Sequence, residues 1–210
     1  VKRAPTIGLA GLVLLLLGVA GSGCLARQYP EKLRFDLTVD RPTGSSITGT
    51  RTMRIRRVRI APMFDGKSFV YRMTDHRYVE DFYNEFFVPP ETVIASSVQE
   101  WVLASGLFGA VLSAADSGVP GWYLDVDVTD LYGDLRDSTR PQAVVGVSFA
   151  LFGRGDSDDS ALLRKSYAAH EPMTATTPEA LVIGWNAALS RILGDLERDL
   201  GAALARAPAR

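Results

Sequence analysis

The stretch Trp122-Tyr-Leu-Asp-Val-Asp-Val-Thr-Asp-Leu131 decides the fold. Trp122, Leu124, Val126 and Val128 point one way, while Tyr123, Asp125, Asp127 and Thr129 point the other. A period of two belongs to a β-strand with one face on a core and the other towards water. Two further strand-like runs follow, Gln142 to Phe152 and Leu162 to Ala169. The polar loop Gly153-Arg-Gly-Asp-Ser-Asp-Asp-Ser160 joins them. Consecutive strands joined in this way predict an antiparallel meander. Downstream the period changes: Leu181, Trp185, Leu189, Ile192, Leu196 and Leu200 form a continuous apolar stripe at helical spacing. Thr177 is placed to cap that helix, Pro178 suits its first position, and Glu179 favours the positive end of its dipole. Asp195, Glu197, Arg198 and Asp199 fall off the stripe and are expected to face solvent.

Upstream, Arg54-Ile-Arg-Arg-Val-Arg-Ile60 reads as a strand stopped at Ala61-Pro62. The turn dipeptide Asp65-Gly66 leads into a second strand, Ser68 to Met73, and the aromatic run Tyr78 to Phe87 reads as a third. Pro89-Pro90 ends that run and opens a helix from about Glu91 to Ala104, with Ile94, Val98, Trp101 and Val102 on its apolar face. Leu107 to Leu112 reads as a short buried strand. Leu33 to Val39 alternates and is a candidate opening strand, followed by a Pro/Gly/Ser/Thr-rich connector. The expected fold is α+β, a two-layer domain with a largely antiparallel sheet and amphipathic helices on one face.

Composition narrows the function classes. Of 210 residues, 47% are hydrophobic and 22% charged, which excludes wholesale disorder. The balance of 23 basic against 24 acidic residues argues against nucleic acid as a partner. One cysteine excludes an intramolecular disulfide and a Cys-rich zinc site. That residue, Cys24, follows Lys2-Arg3, an uncharged apolar run from Ile7 to Ala20, and Gly21-Ser22-Gly23. Positive, apolar and small, in that order, is a secretory signal peptide. The run is short of the roughly 20 residues a transmembrane helix needs.

A cysteine at the cleavage point suggests the bacterial lipoprotein pathway. Gly21-Ser22-Gly23-Cys24 resembles a lipobox, departing from it at Gly21, where Leu, Val or Ile is preferred. An uncleaved N-terminal anchor with an incidental cysteine is the plainer alternative. On the lipoprotein reading, residues 1–23 are removed and Cys24 carries a covalent diacylglycerol and an N-acyl chain. Residues 24–50 then form a tether and residues 51–205 a periplasmic domain. The mature chain, residues 24–210, carries a net charge of −3 and no free thiol. Leu25 stands where an Asp would resemble an inner-membrane retention signal, so sorting to the periplasmic face of the outer membrane is favoured.

Catalytic groupings are sparse. His76 sits in the polar turn Thr74-Asp-His-Arg77 and His170 ends a strand, so surface roles are expected for both. Asp125 and Asp127 share a strand face, and paired carboxylates can bind a divalent cation or act as acid and base. The solvated face of a sheet carries the same pattern, and that reading is preferred. Asp156-Ser-Asp-Asp-Ser160 opens like an EF-hand loop, but Ala161 and Tyr167 replace its glycine and bidentate glutamate, leaving a solvated turn. No P-loop signature is present. The arginines at 51, 54, 56, 57 and 59 suit either an acidic or lipid partner or an edge strand protected against aggregation. Neither a metal nor a cofactor is expected.

The order of these segments resembles the ABC-type transport auxiliary lipoproteins, partners of MCE-type and paraquat-inducible lipid transporters. The match spans roughly residues 53–203. Ile60-Ala-Pro62 resembles the family's first strand end, and Phe69-Val-Tyr-Arg72 its second strand. Tyr83-Asn-Glu-Phe-Phe-Val-Pro-Pro90 resembles its aromatic segment, with Phe86 in place of a tryptophan. Leu124-Asp-Val-Asp-Val-Thr-Asp-Leu-Tyr-Gly133 resembles its long strand, and the closing helix with Trp185 completes the order. The resemblance implies a tethered, non-enzymatic component of a homo- or hetero-oligomeric complex containing an MCE-domain protein, an ABC permease and an ATPase. Phospholipid is a further implied contact. Tyr83, Phe86 and Phe87 are the candidate partner-binding residues, against the plainer role of sheet core. The alternative is a lipoprotein activator of a cell-wall synthase or an outer-membrane assembly factor.

Overall fold

Alternating apolar side chains on a strand need an apolar layer to cover them, and here two helices supply it. The computed structural model describes residues 31–41, 49–112, 116–157 and 160–207. Its strands are β1 (Leu33–Phe35), β2 (Thr52–Ile60), β3 (Ser68–Arg72), β4 (Tyr78–Phe86), β5 (Ala110–Leu112), β6 (Trp122–Asp134), β7 (Gln142–Gly153) and β8 (Leu163–Pro172). Its helices are α1 (Pro90–Ala104) and α2 (Pro178–Arg206). The signal-like residues 1–23 and Cys24 lie outside the described residues.

The α+β class holds, but the sheet is mixed where a largely antiparallel one was expected. All eight strands join it. Strands β6, β7 and β8 form the antiparallel meander, and β3 pairs antiparallel with β4. The pairs β1–β4, β2–β5, β2–β6 and β3–β6 are parallel. Between β2 and β6 the chain makes the β3–β4 hairpin and helix α1. That crossover returns it to the end of the sheet from which β2 started, and parallel neighbours require such a return. The outer strands are shorter than their apolar runs: β1 stops at Phe35 and β5 starts only at Ala110.

β6 is the central strand, with β7 along one edge and β2, then β3, along the other. Trp122, Leu124, Val126 and Val128 are all buried, as their alternation predicts. The register then shifts, from Val128 opposite Val147 to Asp130 opposite Gly146, leaving Thr129 as an extra residue. This bulge reverses the alternation. Leu131 and Gly133 take the helix side, where a Cβ on Gly133 would lie 3.2 Å from Leu181 Cδ1. Strict alternation would have sent the Asp130 carboxylate into that core.

Helix α2 starts as its sequence indicates, with Thr177 Oγ1 accepting a 3.3 Å hydrogen bond from the Ala180 amide. Every residue of the stripe from Leu181 to Leu200 is buried. A Cβ at Gly184 would come within 2.5 Å of Ala143 Cβ, so glycine is what allows the helix to lie this close to β7. Trp185 is fully buried, stacked on Phe86 and edge-on to Phe69, and its Nε1 donates to the Tyr132 carbonyl. Helix α1 buries Ile94, Val98, Trp101 and Val102.

Two acids expected to face solvent instead join elements together. Glu197 accepts from Trp101 Nε1 at 2.8 Å and from both Nε and Nη2 of Arg41. Asp199 accepts from Lys165 and from the Tyr167 hydroxyl, and these bonds hold its carboxyl below the usual range. Residues 33–41, expected to lie within a tether over 24–50, belong to the fold: β1 joins the sheet and the segment after it packs along α2, with Leu37 buried, the Thr38 amide donating to Asn186 and Ser190 donating to the Asp40 carbonyl.

Candidate functional site

Two carboxylates on one strand face repel each other unless cations neutralise them, and β2 supplies those cations. It pairs with β6 along its length but with β5 only over Thr52–Arg54, so among the described residues no strand flanks Arg56, Arg57 and Arg59 on the other side. A shift after Ile55 leaves Arg56 as an extra residue, with Arg57 opposite Asp125. Arg56 Nε and Nη2 both bond the Asp125 carboxylate, at 2.7 and 2.6 Å, and Arg57 Nη2 reaches it at 2.9 Å. Arg59 holds Asp127 at 2.6 Å. The Arg56 guanidinium also lies 4.6 Å above the buried Phe152 ring.

Asp125 is therefore buried, at 1% exposure, rather than part of a solvated face. Its lone pairs are spent on arginine, which leaves little to offer a metal. Among the described residues, no group of three or more His, Cys, Asp or Glu is arranged to hold a metal ion. Truncating Arg56→Ala should cost about 2–4 kcal/mol, because it strips cover from Phe152 and halves the support of a buried carboxylate. Thermal and urea unfolding of the variant check this. A loss below about 0.5 kcal/mol, the range of ordinary surface changes, would show the ladder to be ornamental.

The histidines sit on different elements and both are exposed, His76 in the β3–β4 turn and His170 on β8 opposite Val144. Asp156 accepts from the Gly153 amide at 2.8 Å, an ordinary turn role. One open hollow of about 570 Å³ is lined by Met73, Asp75, Asp134, Arg136, Asp137 and Arg140 among others. Its charges are matched: Arg136 bridges Asp134 and Asp75, each at 2.7 Å, and Arg140 holds Asp137. Bonding to Arg136 keeps the Asp134 carboxyl below its ordinary range. The Thr139 hydroxyl, with Arg140, lowers that of Asp137 to about 2. Carboxylates paired with arginine and lowered in this way are poorly matched to proton transfer near neutral pH.

The aromatic segment is different. Ser68 pairs with Glu85 and Val70 with Glu80, so two steps along β3 face five along β4. The surplus residues bulge outward at Asp81–Asn84. Asp81 Oδ1 holds the bulge by accepting from the Tyr83 and Asn84 amides, and Oδ2 accepts from Asn84 Nδ2. The bulge leaves Phe82 69% and Tyr83 44% exposed, their rings edge-to-face at 5.2 Å. Phe87, just past the strand, is 60% exposed.

The three candidates thus separate. Tyr83 and Phe87 lie on the surface, whereas Phe86 is a core residue at 2% exposure against Trp185 and Phe69. Phe82 escaped the sequence reading. Adjacent aromatics on a strand point to opposite faces, so the doublets Phe82-Tyr83 and Phe86-Phe87 already required outward rings. Cations border the patch. Lys32 Nζ lies 5.0 Å from the Phe82 ring centre, and Lys67 Nζ donates to the Phe87 carbonyl at 2.9 Å. Lys32 and Arg34 bond Glu85 and hold its carboxyl below the usual range.

No protein-family model matches this chain, and no curated protein matches it. Solved structures do. Protein XCC0632 from Xanthomonas campestris, of family-model DUF330, superposes with a TM-score of 0.67 at 17% identity, covering 79% of this chain and 92% of that one. An uncharacterized protein superposes at 0.65 with 14% identity, covering 81% of this chain and 99% of its own. The hypothetical protein CT253 from Chlamydia trachomatis reaches 0.50 at 7% identity, covering 73% and 99% respectively. At such identities the likeness is one of fold. Among the described residues, no helix is long and apolar enough to cross a membrane.

Proposed function

We propose that this chain is an outer-membrane-anchored periplasmic lipoprotein, a non-catalytic auxiliary component of an MCE-type ABC system moving lipids between the inner and outer membranes. The observation that carries this reading is Cys24, set directly behind a signal-like segment and ahead of the family-like segments in their family order. Those segments lie at defined places in the fold. Ile60-Ala-Pro62 closes β2, Phe69–Arg72 lies in β3, Tyr83–Pro90 runs from the β4 bulge into α1, and Leu124–Gly133 is most of β6. The paired state of Asp125, Asp127, Asp134 and Asp137 favours a binding role over an enzymatic one.

Affinity purification of the tagged full chain from cross-linked cells tests the reading. An MCE-domain protein should be recovered together with its permease and ATPase. Recovery of a cell-wall synthase or of the outer-membrane assembly machinery, without any MCE protein, would replace it with the activator or assembly-factor role.

A further inference from the structure

The exposed rings of the β4 bulge lie where the folded unit begins. That unit starts at Lys32, whose ammonium group sits over Phe82. Leu33, the next residue, pairs with Asn84 of the bulge and is itself 52% exposed. Eight backbone steps separate Cys24 from Lys32, so even a fully extended connection reaches at most about 29 Å. A folded chain of this length is about 40 Å across. A tether shorter than the body it holds keeps Lys32 within that distance of whatever holds Cys24.

We infer that Phe82, Tyr83 and Phe87, rimmed by Lys32 and Lys67, form a docking surface for the phospholipid bilayer in which the chain is anchored. The inference rests on the acyl anchor proposed above. Aromatic rings settle at the headgroup level of a bilayer, and lysines beside them meet lipid phosphates. Three cations of the patch, Lys32, Arg34 and Lys67, outnumber the two carboxylates Glu85 and Asp81 beside them. Glu85 is neutralised by Lys32 and Arg34, and Asp81 is occupied by the bulge's own N–H groups. The position at the root of the tether assigns to lipid a segment read from the sequence as a candidate partner-binding surface. Docking at a surface already held close needs only weak contacts, because the anchor raises the local concentration.

Trp101, Trp122 and Trp185 are all buried and out of reach of a lipid-borne quencher, so a tryptophan introduced at the patch is read as the difference from the native chain. Phe82→Trp and, separately, Tyr83→Trp are placed on vesicles of phosphatidylethanolamine and phosphatidylglycerol containing brominated phospholipid. One arm uses the acylated protein taken from membranes. The other uses the unacylated chain from Cys24 onward, coupled through its only thiol to a maleimide-bearing phospholipid. In both arms the new tryptophan should shift to the blue and be quenched about twofold, as expected for a ring at the interface. Val119→Trp lies on the loop entering β6, at the opposite end of that strand from its β3 pairing, and should remain unquenched.

Water-exposed emission from both patch variants, on protein that stays vesicle-bound, would overturn the inference. A blue shift that rises with protein concentration in the absence of lipid would also overturn it, reassigning the patch to a second copy or another protein. Quenching in the coupled arm, with no acyl groups on the cell-derived protein, would sustain docking while removing the lipoprotein reading.

Discussion

Trp185→Ala should lose about 4–5 kcal/mol of folding stability, the upper part of the range for an aromatic truncated in a core. The side chain is fully buried where α2 meets β3 and β4, with its ring 5.0 Å from Phe69 and 5.3 Å from Phe86. Truncation leaves a cavity bounded by two other aromatic rings, which do not collapse into it without giving up their own contacts. It also removes the Nε1–H donor to the Tyr132 carbonyl. Native domains hold only about 5–15 kcal/mol in total, so the variant should sit near the edge of unfolding. Urea unfolding followed by far-ultraviolet circular dichroism measures the loss. Trp185→Phe should recover most of it by refilling the volume, although the Tyr132 hydrogen bond stays lost. A cost below about 1 kcal/mol for the alanine variant would mean that the aromatic cluster is not what joins helix to sheet.

How much of this was legible in the chain depends on how local each feature is. The alternation of Trp122 to Val128 and the stripe from Leu181 to Leu200 are local patterns, and both proved to be buried faces. Parallel pairing is not local. Nothing in Arg54–Ile60 indicates that its neighbour will be β6, some sixty residues later, so the mixed sheet became apparent only once β2 was in place. The bulges at Arg56, Asp81–Asn84 and Thr129 decide which side chains turn outward, and each depends on the partner strand's register. Asp125 shows the consequence. Its alternation predicted a wet face, whereas the extra residue at Arg56 brings two arginines onto it and buries it. Phe86 went the same way: the aromatic composition of its segment was visible, but only the strand's phase separates its core ring from the surface rings of Tyr83 and Phe87. The reading of Cys24 rests on linear sequence alone, because a cleavage and acylation signal is recognised before the chain folds.

The largest effect on where the protein works should come from Cys24→Ser. On the lipoprotein reading the cysteine carries two acyl chains on its thiol through diacylglycerol and a third on its nitrogen. A buried methylene contributes about 0.8 kcal/mol, and a single myristoyl chain gives only marginal, reversible binding. Three chains together therefore hold the protein essentially permanently, and no surface patch replaces them. Phe82, Tyr83 and Phe87 are few and stay partly in contact with water, so by themselves they support at most a weak, reversible association. The variant should lose its acyl mass and move from the membrane fraction to the soluble periplasm, by several orders of magnitude in partition. Mass spectrometry of the N-terminal peptide and membrane fractionation are the two readouts, and each excludes something different. If Ile7–Ala20 remains as an uncleaved anchor, Cys24→Ser stays in the membrane with its N-terminus intact, and the thiol has no part in attachment. If the variant is cleaved and released, yet the native protein carries no acyl group, the signal is an ordinary secretory one. Only loss of acyl mass together with release matches acyl attachment at Cys24, eight residues ahead of Lys32.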